Sequence, residues 1–137
     1  MTKSYEIAKH IDRFMRKFDA ATHARATQID NDKIGQLGGL VLLSIADLHP
    51  VSLQELVKAL GRDKSQMTRL VQMLELKGVI ARKPSPTDGR VSLLHPTEKG
   101  CALVAGLRQL MSEVVDEIVA PLPAEERDTL ARLLRKL

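Results

Sequence analysis

The sequence has no tryptophan, a single cysteine and only three aromatic residues, Tyr5, Phe14 and Phe18. Leu, Val and Ala therefore carry the hydrophobicity, which favours helices packed on helices over an aromatic-rich sandwich. Cys101 has no partner for an internal disulfide, and such usage suits a reducing compartment. No run approaches the roughly 18 apolar residues of a membrane helix; even the apolar stretch Leu40–Ala46 is interrupted by Ser44. The amino terminus, Met1-Thr-Lys-Ser-Tyr-Glu6, lacks the apolar core of a signal peptide. Catalytic signatures are missing too, with no Gly-x-Ser-x-Gly elbow, no Walker-type loop and no His-Glu-x-x-His. His10, His23, His49 and His95 show no paired ligand spacing, so neither a metal nor another cofactor is expected.

What is present is a chain of 137 residues, 44% hydrophobic, which is too apolar for disorder and long enough for a real core. A soluble, cytoplasmic, mostly helical protein is expected. The net charge of +4 is mild, but its distribution is uneven. Residues 52–90 hold eight Lys and Arg against four Asp and Glu, while the flanks nearly cancel. A basic centre between near-neutral flanks is a candidate polyanion surface.

Apolar residues Ile7, Ile11, Phe14, Phe18 and Ala21 recur at helical spacing and predict a first amphipathic helix of about 20 residues. Polar residues 28–33 mark a loop, and Leu37–Leu48 predicts a buried second helix. Gly35, Gly38 and Gly39 have neither a preceding strand nor a following lysine, so they fit close helix packing better than phosphate binding. After Pro50, Ser52-Leu-Gln-Glu55 has capping-box spacing and starts a short third helix facing inward through Leu53, Leu56, Val57 and Leu60. Gly61-Arg-Asp63 makes a turn. Asp63 caps a fourth helix whose buried stripe is Met67, Leu70, Val71 and Leu74, and Gly78 ends it. Val79–Lys83 and Val91–His95 then read as strands around a turn at Asp88-Gly89. Thr97 caps a long fifth helix lined by Leu103, Leu107, Leu110, Met111, Val114 and Ile118. Glu125–Leu137 forms the last helix, with Leu130, Leu133, Leu134 and Leu137 on its apolar side.

Two short helices separated by a three-residue turn and followed by a β-hairpin describe a winged helix-turn-helix. The inward stripe of the fourth helix leaves Ser65, Arg69 and Gln72 outward, with Thr68 at the flank. Arg can pair with guanine, Gln with adenine, and Ser or Thr with bases or phosphates. Lys64, Ser65 and Gln66 lie where free backbone amides favour a phosphate. At the hairpin tip, Arg90 suits a narrow minor groove, and Asp88 either orients it or pairs with Arg82.

These residues carry a family resemblance. Leu53-Gln-Glu-Leu56, Asp63-Lys-Ser-Gln-Met-Thr-Arg-Leu-Val71, Leu74-Glu-Leu-Lys-Gly78, Arg82, Asp88-Gly-Arg90 and Thr97-Glu-Lys-Gly100 resemble, in order and spacing, the MarR family of bacterial transcriptional regulators. Pro96 stands where that family usually has leucine, and the wing carries two prolines. The resemblance implies a recognition helix at Asp63–Lys77 that contacts DNA through Ser65, Gln66, Thr68 and Arg69, with Arg90 on the wing. It also implies a homodimer joined by the terminal helices.

The expected fold is mainly α with a small β-hairpin. Residues 1–33 form an amino-terminal dimerisation helix and loop, residues 34–96 the winged helix-turn-helix, and residues 97–137 the carboxy-terminal dimerisation helices. The expected partner is double-stranded DNA with a near-palindromic operator, and no membrane. The candidate DNA-binding residues are Lys64, Ser65, Gln66, Thr68, Arg69, Gln72, Arg82, Asp88 and Arg90. Relatives of this kind often bind small anionic or phenolic effectors, and His23, Arg25 and His49 are the candidates to line such a pocket. Cys101 is expected to be structural, because it lies on a stretch that should pack. A different class of function on the same scaffold is a winged-helix protein-interaction module that never touches nucleic acid.

Overall fold

The computed structural model describes residues 1–137. Six helices and three short strands follow in the order α1 (Lys3–Ala26), α2 (Gly35–Leu48), β1 (Val51–Ser52), α3 (Leu53–Leu60), α4 (Lys64–Leu76), β2 (Ile80–Pro84), β3 (Ser92–Pro96), α5 (Glu98–Ile118) and α6 (Ala124–Arg135). No helix is long and apolar enough to cross a membrane. The chain divides into a central unit, residues 26–108, and a terminal-helix unit formed by Met1–Arg25 with Gln109–Leu137. The first half of α5 thus belongs to the central unit, whereas the sequence pattern groups the whole helix with the terminal ones.

In the central unit, short-range signals set the helix ends. Ser52 Oγ accepts a hydrogen bond from the Glu55 amide at 3.1 Å, which starts α3 and forms one half of a capping box. Gly61, at φ 62°, ends α3 in the left-handed region. Two residues later the Asp63 carboxylate accepts from the Gln66 amide at 3.0 Å and opens α4. Met67, Val71 and Leu74 are fully buried beneath α4, against Val41, Leu42 and Ile45 of α2 and Leu56 of α3 in one apolar cluster. Leu70, expected with them, is half-buried at its edge.

The sheet is three-stranded and antiparallel, in the order β1-β3-β2. The extra strand is β1, which pairs Val51 with Leu94 and Ser52 with Leu93. Both hairpin strands begin one residue later than their sequence pattern suggests, and for β2 the cause is the end of α4. There the Val79 amide bonds to the Leu74 carbonyl and the Gly78 amide to the Glu75 carbonyl, with Gly78 at φ 76°. This Schellman arrangement uses Val79 as the apolar residue after the helix stop, so pairing starts at Ile80 opposite Pro96.

The terminal-helix unit is built differently. Leu110, Val114 and Val119 are buried, but α1 and α6 bury no residue at all. The expected apolar stripe of α1 is largely in solvent, with Ile7 and Ile11 about half exposed at 54% and 51%. Phe14 and Phe18 stack with ring centroids 6.5 Å apart. On α6, Leu133 and Leu134 are exposed as well. Each helix is amphipathic, yet its apolar side is only partly covered within this chain.

Candidate nucleic-acid interface

The inward stripe of α4 fixes which side chains leave the core. Lys64, Ser65, Arg69 and Gln72 are exposed, while Gln66 and Thr68 are half-buried along the flank. Asp63 accepts from the Gln66 amide, so it occupies one of the amides that the sequence offers to a phosphate. The Thr68 hydroxyl donates to the Lys64 carbonyl at 2.8 Å, so its proton is taken by the helix backbone while its oxygen can still accept a hydrogen bond.

The wing is an ordered loop between β2 and β3. Ser85 Oγ accepts from the amides of Thr87 and Asp88, each at 3.3 Å, and contacts Thr87 Oγ1 at 3.1 Å. Asp88 Oδ1 accepts from the Arg90 amide at 3.1 Å and from its Nε at 3.2 Å. Asp88 therefore orients Arg90, whose side chain is 92% exposed and projects from the tip. Of the two partners considered for Asp88, Arg82 is not the one. Arg82 Nε instead donates to Glu75 Oε1 at 2.8 Å, which ties β2 to the last turns of α4.

The expected site residues thus fall into two electrostatic groups. Arg82 and Arg90 each have a carboxylate partner. Lys64 and Arg69 are exposed and form no ion pair, and Arg62 and Lys83 share that condition although the helical pattern did not single them out. Their sequence signal was position alone, one residue before the α4 cap and one residue from Arg82.

Arg25 forms an ion pair with Glu117 in the terminal-helix unit, and His23 is exposed on the same helix. His49 lies against His95 in the central unit, with ring centroids 5.9 Å apart. Burial, with Lys83 and His49 nearby, lowers the His95 pKa from its ordinary value. A cleft of about 390 Å³ in the terminal-helix unit is lined by His10, Arg13, Phe14, Lys17 and Ile118, and by none of the three effector candidates. Cys101 is exposed rather than packed, because Gly100 and Val104 take the inward positions of that turn. No group of three or more His, Cys, Asp or Glu side chains comes together as a metal site.

A helix, a turn, a second helix with an outward polar and cationic face, and a hairpin bearing an oriented arginine define a winged helix-turn-helix protein. Residues 39–92 match the MarR family. Over 97 residues the chain is 36% identical to a candidate transcriptional regulatory protein for the hcr operon of Thauera aromatica; the match covers 71% of this chain and 58% of that protein's length. It is 25% identical over 134 residues to the HTH-type transcriptional repressor NicR of Pseudomonas putida, covering 97% of this chain and 85% of NicR. A crystal structure of a mutant MarR from E. coli complexed with operator DNA superposes with a TM-score of 0.75 at 28% identity, covering 99% of this chain and 98% of that one. Residues 39–92 thus carry the MarR family's pattern, and over most of its length the chain is similar to transcriptional regulators.

Proposed function

We propose that the protein is a homodimeric, sequence-specific double-stranded-DNA-binding repressor released by a small-molecule effector. The observation that carries the DNA-binding part is the exposed face of α4, where Lys64 and Arg69 stand without a carboxylate partner beside Ser65, Gln66 and Gln72. A plain solvated helix would more often carry acid–base pairs four residues apart. The DNA-bound state of the MarR relative supports the same reading. Homodimer formation is supported by the only partly covered apolar sides of α1 and α6, and repression by the name of the P. putida relative.

In this reading two copies of α4 enter successive major grooves about ten base pairs apart, so the operator is near-palindromic. Phosphate contacts position the dimer, whereas Ser65, Gln66 and Arg69 contribute to reading the bases. Arg82 and Asp88 act from behind the contact surface, the first by joining β2 to α4 and the second by aiming Arg90. An effector that binds one of two lobe arrangements better would release the operator.

Selection of bound duplexes from a random pool tests the proposal. A palindrome with one-turn spacing is expected, and no enrichment would leave the protein-interaction module as the better reading. On the selected operator, Arg69→Ala is expected to cost about 1–3 kcal/mol of binding and relax preference at one base pair per half-site. An equal loss on every sequence, measured by titration of operator and mismatched duplexes, would make Arg69 a phosphate contact instead.

A further inference from the structure

The carboxyl end of α4 is held by the first turn of α5. Thr97 Oγ1 donates to the Gly78 carbonyl at 2.6 Å, and Lys99 Nζ donates to the Lys77 carbonyl at 2.9 Å. The same ammonium donates to Asp32 Oδ1, also at 2.9 Å. Asp32 lies in the connection between α1 and α2. In the same connection, Asp30 accepts from the amides of Ile34 and Gly35, at 2.8 and 3.0 Å, at the start of α2. One lysine therefore joins three segments of the central unit.

The chemistry suits that position. The last carbonyls of a helix have no partner within it, and a cation there also meets the negative end of the helix dipole. α4 has 13 residues and is roughly 20 Å long. A rotation of only a few degrees about its carboxyl end would therefore move the side chains at its amino end by about an ångström. Misplacement on that scale is enough to lose a directional contact.

We propose that Lys99 is a positioning residue for DNA recognition: it fixes the tilt of α4 by clamping the end of that helix to Asp32. This rests on the reading of α4 as the recognition helix. Lys99 acts through the helix and touches no phosphate, which separates it from the free cations of the contact face.

The test uses the full-length protein, the operator chosen by the random-pool selection, and a temperature at which every variant is fully folded by circular dichroism. Lys99→Met is expected to weaken operator binding about tenfold, with unchanged affinity for unrelated duplex and an unchanged dependence on salt. Lys99→Arg should retain operator affinity. Asp32→Asn should reproduce the loss, and combining it with Lys99→Met should add nothing further. Wild-type affinity in Lys99→Met, or losses that add in the double variant, would overturn the proposal. A shallower salt dependence would overturn it as well, by making Lys99 a phosphate contact. A wild-type protein that enriches no duplex removes the recognition reading itself, a result distinct from all of these.

Discussion

Raising the salt from 50 to 200 mM is expected to weaken operator binding by roughly 10³–10⁵. The size follows from the number of cations that reach phosphate without first leaving a partner. Lys64, Arg62 and Lys83 are exposed and form no ion pair, and Arg69, equally free, is assigned to the bases. The three left for phosphate in each subunit give about six in a dimer, the lower end of the six to ten phosphate contacts for which losses of that size are expected. Arg82 and Arg90 contribute less to the slope, because the carboxylates of Glu75 and Asp88 already offset their charge. Each free cation releases about one condensed counterion, so Arg62→Gln should make the log–log slope shallower by about two units per dimer. Fluorescence anisotropy titrations at four or five salt concentrations check both. Binding that ignores salt would contradict the whole electrostatic account. A normal slope with Arg62→Gln unchanged would place Arg62 off the backbone.

The parts of this interface that were legible in the sequence are those set by neighbours along the chain. Ser52 and Asp63 cap helices through amides three residues away, so their roles could be read from spacing. Asp88 orients Arg90 two residues on, again a local matter. Contacts made by topology were not legible. Nothing in a linear pattern brings Arg82 to Glu75 across the helix stop, His49 to His95 across the sheet, or Lys99 to Asp32 across 67 positions.

Two local patterns also misled, each for a physical reason. Val79 has the character of a strand residue, but the Schellman stop uses it first and delays β2 to Ile80. On α5 the apolar residues are dense enough to fit more than one phase. Val104, Leu110 and Val114 are buried, whereas Met111 is at the surface and Cys101 is exposed. On α1 and α6 the stripes were read correctly as apolar, but amphipathicity specifies only that a face seeks cover. Within this chain the exposed Ile7, Ile11 and Leu134 receive little of it.

Gly100→Ala is expected to destabilise the protein by about 3 kcal/mol or more, at the upper end of the range for overpacked sites. A methyl group there would sit 1.9 Å from the Val79 carbonyl oxygen and 2.9 Å from its carbon. Both atoms are backbone, so no rotamer change can make room. The carbonyl cannot retreat freely either, because it accepts the Thr97 amide at 3.0 Å. Moving α5 away would strain that bond, the Gly100 amide bond to Thr97 Oγ1 and the Thr97 hydroxyl bond to Gly78. Alanine is the better helix former by about 1 kcal/mol in a helix interior, and less than that in a first turn, so the clash wins. Gly106→Ala on the same helix is the control. Its added methyl would lie 3.9 Å from Ile29 Cδ1, an ordinary contact, and the helix preference should then stabilise by up to about 1 kcal/mol. Urea denaturation at one fixed protein concentration, which holds any dimer contribution constant, should therefore move the two midpoints in opposite directions. Equal midpoints for Gly100→Ala and wild type would mean that the α4–β2 junction and the start of α5 do not approach as closely as the geometry requires.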